Sequence, residues 1–70
     1  MFSYEPLWET MKRRNATTYT LRTKGQVSPA TIKRLRENRS VTIDSVYKIC
    51  NYLKCDITDV VRFTLDDENY

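Results

Sequence analysis

The basic side chains with the clearest chemistry follow a serine and a proline in the middle of the chain. Lys33 and Arg34 come shortly after Ser28, Pro29 and Ala30. A guanidinium group can donate two parallel hydrogen bonds to O6 and N7 of guanine, and an ammonium group can donate to the same atoms. Small neighbouring residues let a helix approach a groove closely. These residue types in this spacing indicate contact with a nucleic acid.

Positive charge is concentrated around the same segment. Between Lys12 and Arg39 the chain has nine basic residues and a single acid, Glu37, whereas the whole chain has a net charge of only +3. A positive centre between acidic ends favours a polyanionic partner, because neutralised phosphates supply most of the nonspecific affinity for DNA. The alternative interpretation is a set of solvated helix faces.

The composition argues against an enzyme. The sequence has no histidine and only two cysteines, Cys50 and Cys55. Histidine is the commonest general base and nitrogen ligand, so we expect no catalysis, no cofactor and no metal site. Both cysteines stand among apolar residues, where reduced thiols pack as small hydrophobic side chains. No small-molecule ligand is evident.

The length of 70 residues fits one small domain with a single modest core. We expect this domain to span residues 1–65 and to be followed by an acidic, frayed tail over residues 66–70. No run of about 18 apolar residues is present, and the first residues lack a basic region followed by an apolar run. The sequence therefore predicts a cytoplasmic protein without membrane contact.

Capping residues and apolar periodicity predict an all-α fold, a compact bundle of about five short helices. Each predicted helix follows a residue whose side-chain oxygen can accept from the first turn. In chain order these predicted caps are Ser3, Thr17, Ser28, Thr42 and Asp56. The fourth helix is the most clearly amphipathic. After Asp56, the β-branched residues Val60 and Val61 and the aromatic Phe63 leave a terminal strand as an alternative.

The second and third predicted helices form a helix-turn-helix, the motif that places its second helix in the major groove of DNA. The apolar residues that share its inward side are Leu21, Val27, Ile32 and Leu35. The outward side of the third helix carries Pro29, Ala30, Lys33, Arg34 and Glu37. Pro29 stands at the first helical position, where its missing donor costs nothing. We predict a recognition helix from Ser28 to Asn38.

The predicted DNA-binding site has nine residues. They are Thr18, Ser28, Pro29, Ala30, Lys33, Arg34, Arg36, Arg39 and Ser40. Lys33 and Arg34 are expected at base edges, and Pro29 and Ala30 at thymine methyl groups. Phosphate contacts are expected from the second helix, from Ser28 and from the loop after the third helix. Arg36 stands at the margin of the outward side of the third helix. For Ser28 the alternative is capping alone, and for Arg39 it is a free surface charge.

The chain resembles the phage repressor and Cro (Xre-like) family of helix-turn-helix proteins in a minimal, single-domain form. The residues that carry the resemblance are Leu21, 27–32, Leu35, 41–42, 48–50, Leu53 and 55–57. The resemblance implies a lambda-repressor-like bundle and a role in transcriptional regulation, most often repression. It also implies double-stranded DNA as the partner and homodimers, at least on DNA, on two-fold-related half-sites.

Two positions depart from the pattern of this family. Its tight turn usually has glycine where this chain has Gln26, and Gly25 stands one residue earlier. Either Gln26 is strained in a left-handed conformation or the turn is rearranged. Arg22 replaces a small alanine, so that either its side chain extends outward or the two helices cross differently.

A second hypothesis from another functional class is a protein-interaction module. An antitoxin-like or phage-encoded modulator would keep the fold without reading bases, and would bind its partner through Tyr52, Val61 or Phe63. Among the aromatic residues, we expect Trp8, Tyr47 and Phe63 in the core or at its rim. Tyr19 and Tyr52 are the candidates for exposure.

Overall fold

A computed structural model describes residues 1–65, and the predicted tail over residues 66–70 lies outside the described residues. The described chain has four α-helices and a short sheet. The helices are α1 (Glu5–Arg13), α2 (Thr18–Thr23), α3 (Pro29–Arg36) and α4 (Ile43–Leu53). A single 3₁₀ turn, Ile57–Asp59, follows α4. The strands β1 (Phe2–Ser3) and β2 (Arg62–Phe63) pair antiparallel, with Phe2 opposite Phe63 and Ser3 opposite Arg62.

The predicted fifth helix and the all-α class are wrong in detail. Asp56 does cap a turn, and its main-chain N–H donates back to the carboxylate of Asp59, 3.3 Å away. The helix does not continue beyond this single 3₁₀ turn, because the following β-branched and aromatic residues favour extended backbone. The chain continues into β2, the strand alternative left open by the sequence.

Besides Asp56, three of the predicted caps are confirmed. The hydroxyls of Thr17, Ser28 and Thr42 each accept a hydrogen bond from a main-chain N–H three residues later. Each such bond satisfies one of the donors that a helix leaves free at its start. The first helix differs, since Tyr4 occupies its N-cap position without a side-chain bond. The hydroxyl of Ser3 accepts instead from the N–H of Glu5, at 3.1 Å.

The core joins all four helices to Val60, the residue that follows the 3₁₀ turn. Its buried hydrophobic residues are Tyr4, Leu7, Met11, Leu21, Val27, Ile32, Leu35, Val46, Ile49, Leu53 and Val60. The four residues predicted for the inward side of the helix-turn-helix are all among them. Each fully buried leucine contributes about 1.5 to 3 kcal/mol. The buried Thr10 hydroxyl donates to the carbonyl of Asp59 at 2.8 Å, which ties α1 to the 3₁₀ turn.

The aromatic residues are only partly as predicted. Tyr47 and Phe63 were expected in the core or at its rim, yet they are 68% and 69% exposed. Tyr47 lies on the outer face of α4, and Phe63 lies on the short sheet rather than on a packed helix. Trp8 is half-buried against the core, as is Tyr52, whereas Tyr19 is exposed.

Both cysteines are half-buried against the core, and their thiols are free. Burial, together with the neighbouring Cys50 thiol, raises the pKa of Cys55 from its ordinary 9.0 to about 11. Burial likewise raises the pKa of Cys50. Both side chains are thiols at neutral pH. None of the helices within residues 1–65 has the length and apolar character that crossing a bilayer requires.

Candidate nucleic-acid interface

The turn between α2 and α3 has the left-handed residue that the sequence offered as one of two alternatives. Gln26 is in the left-handed region, with φ of 59°, and Gly25 is not. Gly25 is required for space instead, because a Cβ atom there would lie 2.6 Å from the carbonyl oxygen of Leu21. That same carbonyl accepts from the N–H of Val27 at 3.2 Å. The turn therefore needs a small residue before a strained one, which differs from the arrangement usual in the resembled family.

The start of α3 is fixed by Ser28. Its Oγ accepts from the N–H of Thr31 at 3.1 Å and donates to Oγ1 of Thr31 at 3.0 Å. Pro29 takes the first helical position, as predicted. Burial of Ile32 and Leu35 orients the helix, so the opposite side faces solvent. The predicted site residues on that exposed side are Pro29, Ala30, Lys33, Arg34 and Arg36.

The cations of α3 are not neutralised by the rest of the described chain. Within residues 1–65 no carboxylate forms an ion pair with Lys33, Arg34 or Arg36. The one acid nearby, Glu37, lies 3.5 Å from Nη1 of Arg39, so its charge is partly offset. The exposed side of α3 therefore presents positive charge that is available to an external anion.

A shallow groove of about 450 Å³ lies between α2 and α3. Its lining residues are Thr18, Tyr19, Arg22, Pro29, Ile32, Lys33 and Arg36. Nη2 of Arg36 donates to Oγ1 of Thr18 at 3.1 Å, which links α3 to the first turn of α2. The structure thus brings four of the predicted contact residues to one groove: Thr18, Pro29, Lys33 and Arg36.

The groove is also lined by two exposed residues that the sequence interpretation left out of the site, Tyr19 and Arg22. The guanidinium carbon of Arg22 lies 5.7 Å from the centre of the Tyr19 ring, an arrangement that orients the cation over the aromatic face. Arg22 is exposed, so its side chain extends outward, one of the two alternatives considered for it. Arg22 lies four residues after Thr18 on α2, and therefore on the same side of that helix. This spacing is the sequence signal from which Arg22 could have been included in the site.

The loop after α3 holds the two remaining predicted residues, Arg39 and Ser40, which are both exposed. They lie beyond the end of the helix and do not line the groove between α2 and α3. The carbonyl of Arg39 accepts from the hydroxyl of Tyr4 at 2.7 Å. This bond fixes the main chain of the loop and leaves the guanidinium on the surface.

The comparisons with known proteins agree with this geometry. Residues 6–66 match the family model of the Cro/C1-type HTH DNA-binding domain. This chain belongs to that family. The Cro/C1-type domain also superposes on the crystal structure of the transcriptional regulator VanUg, form II, with a TM-score of 0.81 and 33% sequence identity. The match covers 87% of this chain and 81% of the other. Curated protein sequences gave no match.

Membership of the Cro/C1-type family confirms the resemblance stated from the sequence and makes residues 6–66 a helix-turn-helix DNA-binding domain. The burial of the residues proposed for protein docking weakens the competing protein-interaction hypothesis. Tyr52 and Val61 pack against the core, and only Phe63 is exposed among the three residues proposed for docking.

Proposed function

We propose that this Cro/C1-type domain binds duplex DNA sequence-specifically, with α3 as the recognition helix, and represses transcription. The observation that carries the proposal is the exposed, unneutralised pair Lys33 and Arg34 beside the small residue Ala30 on α3. Repression is the proposed mode because occupancy of a promoter is enough to produce it. The similar structure is that of a transcriptional regulator, which supports a regulatory role for this chain.

Base contacts in this proposal come from the exposed side of α3. Arg34 donates to O6 and N7 of a guanine, and Lys33 donates to a neighbouring base edge or phosphate. Pro29 and Ala30 have no long side chains, so the helix can enter the major groove there and meet thymine methyl groups. Glu37 marks the end at which the helix leaves the DNA, since a carboxylate is repelled by phosphates.

Phosphate contacts come from both sides of the groove between α2 and α3. Arg36, already bonded to Thr18, has further N–H donors for a phosphate oxygen, and the Thr18 hydroxyl can donate its own proton to the same group. Ser28 keeps its capping bond and turns its hydroxyl proton from Thr31 to the DNA. Arg39 and Ser40 contact the backbone beyond the helix end. Two copies on two-fold-related half-sites, about one helical turn apart, complete the proposal.

The test is the salt dependence of binding, measured by fluorescence anisotropy with a labelled duplex. Wild type should lose affinity linearly on a plot of log affinity against log salt concentration. Lys33→Ala should reduce the slope by about 1, because one phosphate contact is lost. Lys12→Ala, which removes an equal charge from the last turn of α1, is the matched control and should leave the slope near that of wild type.

Equal slopes for wild type and Lys33→Ala would remove Lys33 from the phosphate contacts. Absence of any salt-dependent affinity, together with recovery of a stoichiometric protein partner in a pull-down, would favour the protein-interaction module instead.

A further inference from the structure

The end of α4 brings together the only two cysteines of the chain, Cys50 and Cys55. Helix α4 ends at Leu53, and Lys54 follows it in the left-handed region, with φ of 55°. The N–H of Lys54 and the N–H of Cys55 both donate to the carbonyl of Cys50, the latter at 3.1 Å. This is the Schellman arrangement of a helix C-terminus, in which side chains at the positions of Cys50 and Cys55 commonly contact each other. The reversal of the chain at Lys54 therefore places the two thiols side by side.

The separation of the two cysteines suits a disulfide. With a hydrogen bond of 3.1 Å between the main chains, standard bond lengths limit the distance between the two Cα atoms to about 7 Å at most. Disulfides commonly join Cα atoms that are about 4.4 to 6.8 Å apart. The two thiols are also within hydrogen-bonding reach of each other. Joining the sulfur atoms therefore calls for rotation of two side chains and not for a rearrangement of the helix end.

The two thiols are accessible and differ in reactivity. Both cysteines are half-buried and line one shallow surface cleft of about 550 Å³. Burial raises the pKa of both thiols. The hydrogen bond between them acts in opposite directions, because it lowers the pKa of Cys50 and raises that of Cys55. The Cys55 thiol is therefore the donor, and Cys50 is the thiol that ionises first and attacks first.

We propose that Cys50 and Cys55 are a redox modification site, at which a small disulfide oxidises the two thiols to an intramolecular disulfide. Cys50 loses its proton to water, and its sulfur attacks one sulfur of the small disulfide. The S–S bond of that molecule breaks, and one thiol leaves with a proton. Cys55 then loses its proton and attacks the sulfur of Cys50, which releases the second thiol. Two protein thiols are oxidised and one small disulfide is reduced to two thiols, so atoms and electrons balance.

The new bond would lie where α4 meets two other elements of the fold. Nη2 of Arg14, the C-cap of α1, donates to the carbonyl of Lys54 at 3.2 Å, and Asp56 caps the 3₁₀ turn directly after Cys55. Oxidation therefore locks the connection of α4 with α1 and the 3₁₀ turn, and leaves the exposed side of α3 unaltered. Because a cross-link also restricts the unfolded chain, the oxidised domain should be the more stable form. The oxidation state of the pair thus adjusts the stability of the domain.

Oxidation of the full chain by hydroxyethyl disulfide tests the site. This probe is uncharged, so the neighbouring carboxylates of Asp56 and Asp59 neither attract nor repel it. Mass spectrometry should show that the folded wild type loses two hydrogen atoms and retains no mercaptoethanol. Cys50→Ser and Cys55→Ser are the matched controls, and each should retain one mercaptoethanol group in a mixed disulfide. Cys55→Ser should react faster than Cys50→Ser, because it keeps the Cys50 thiol.

A comparison of the folded chain with the same chain in urea separates a placed pair from two cysteines that are merely near in sequence. The equilibrium constant for closing the disulfide should be at least about tenfold larger in the folded chain, and by linkage oxidation should raise the midpoint of urea unfolding. Equal constants in the two states, two mercaptoethanol groups on the folded wild type, or disulfides only between chains would each overturn the proposal. None of these readouts involves DNA, so they test the thiol pair separately from the proposed function.

Discussion

Replacement of Asn38 by alanine should destabilise the domain far more than its exposed position suggests. Asn38 is left-handed, with φ of 59°, and its side chain holds Phe2 and Tyr4 through two hydrogen bonds. It follows the C-cap of α3 and therefore fastens that end of the helix to β1. Alanine would lose both bonds and would keep the unfavourable backbone conformation.

The magnitude follows from the separate contributions. A left-handed alanine costs about 1 kcal/mol, and each lost hydrogen bond costs about 0.5 to 1 kcal/mol at this partly exposed site. The sum is about 2 to 3 kcal/mol. A domain of 70 residues is stable by only about 4 to 10 kcal/mol, so the change is large. Asn15, with φ of 55° and no side-chain hydrogen bond within residues 1–65, is the matched control. Asn15→Ala should cost about 1 kcal/mol.

Urea denaturation followed by the fluorescence of Trp8 measures both variants. The free energy of unfolding of Asn38→Ala should lie about 1 to 2 kcal/mol below that of Asn15→Ala. Asn38→Gly relieves the backbone strain but also loses the two bonds, and should therefore recover only part of the difference. If Asn38→Ala and Asn15→Ala are equally stable, the bonds from Asn38 to β1 do not hold the end of the helix.

Three further predictions concern the turn, the groove and a thiol. Gly25→Ala should destabilise the domain by about 1 to 3 kcal/mol, because the added Cβ would meet the main-chain oxygen of Leu21. Gln26→Gly should stabilise it by up to about 1 kcal/mol, because glycine relieves the left-handed conformation. A higher denaturation midpoint for Gly25→Ala than for Gln26→Gly would contradict both predictions. Arg36→Met should weaken binding to all duplexes alike while unfolding like wild type, and a loss confined to one sequence would make Arg36 a base contact. Cys55 should react with iodoacetamide about 100-fold more slowly at pH 8 than an unstructured cysteine, because its pKa is raised to about 11. Because folding raises the pKa of the Cys55 thiol, its contribution to the free energy of unfolding should be fully present below pH 9 and should be lost as the pH rises toward 11. A free energy of unfolding that does not change with pH over that interval would refute this prediction.

The sequence predicts the helix-turn-helix well because its signals are local. A hydroxyl cap, a proline at the first helical position and the two apolar residues Ile32 and Leu35 define α3 without any knowledge of the rest of the fold. The segment after α4 is predicted less well, since β2 forms only where β1 lies beside it, and the paired residues Phe2 and Phe63 are 61 positions apart in sequence. Local propensity at Val60, Val61 and Phe63 indicates a strand but cannot identify its partner.

In the candidate site, too, local features are predictable from the sequence, whereas contacts between helices are not. Exposure of Lys33 and Arg34 follows from helical periodicity alone. The bond from Arg36 to Thr18 and the placement of Arg22 over Tyr19 depend on how two helices cross, which side-chain spacing does not determine. The role of Asn38 was also hidden, because a polar residue after a helix is usually only a loop residue.

The most direct test of the account is a selection of preferred sites from random duplexes, followed by measurement of affinity at physiological salt for wild type and Arg34→Ala. We predict that wild type binds its selected site at least about 10³-fold more tightly than a shuffled duplex. Arg34→Ala should lose about 1 to 3 kcal/mol on that site and accept other bases at one position. Equal affinity of wild type for selected and shuffled duplexes, or an equal loss for Arg34→Ala on both, would contradict base recognition by α3.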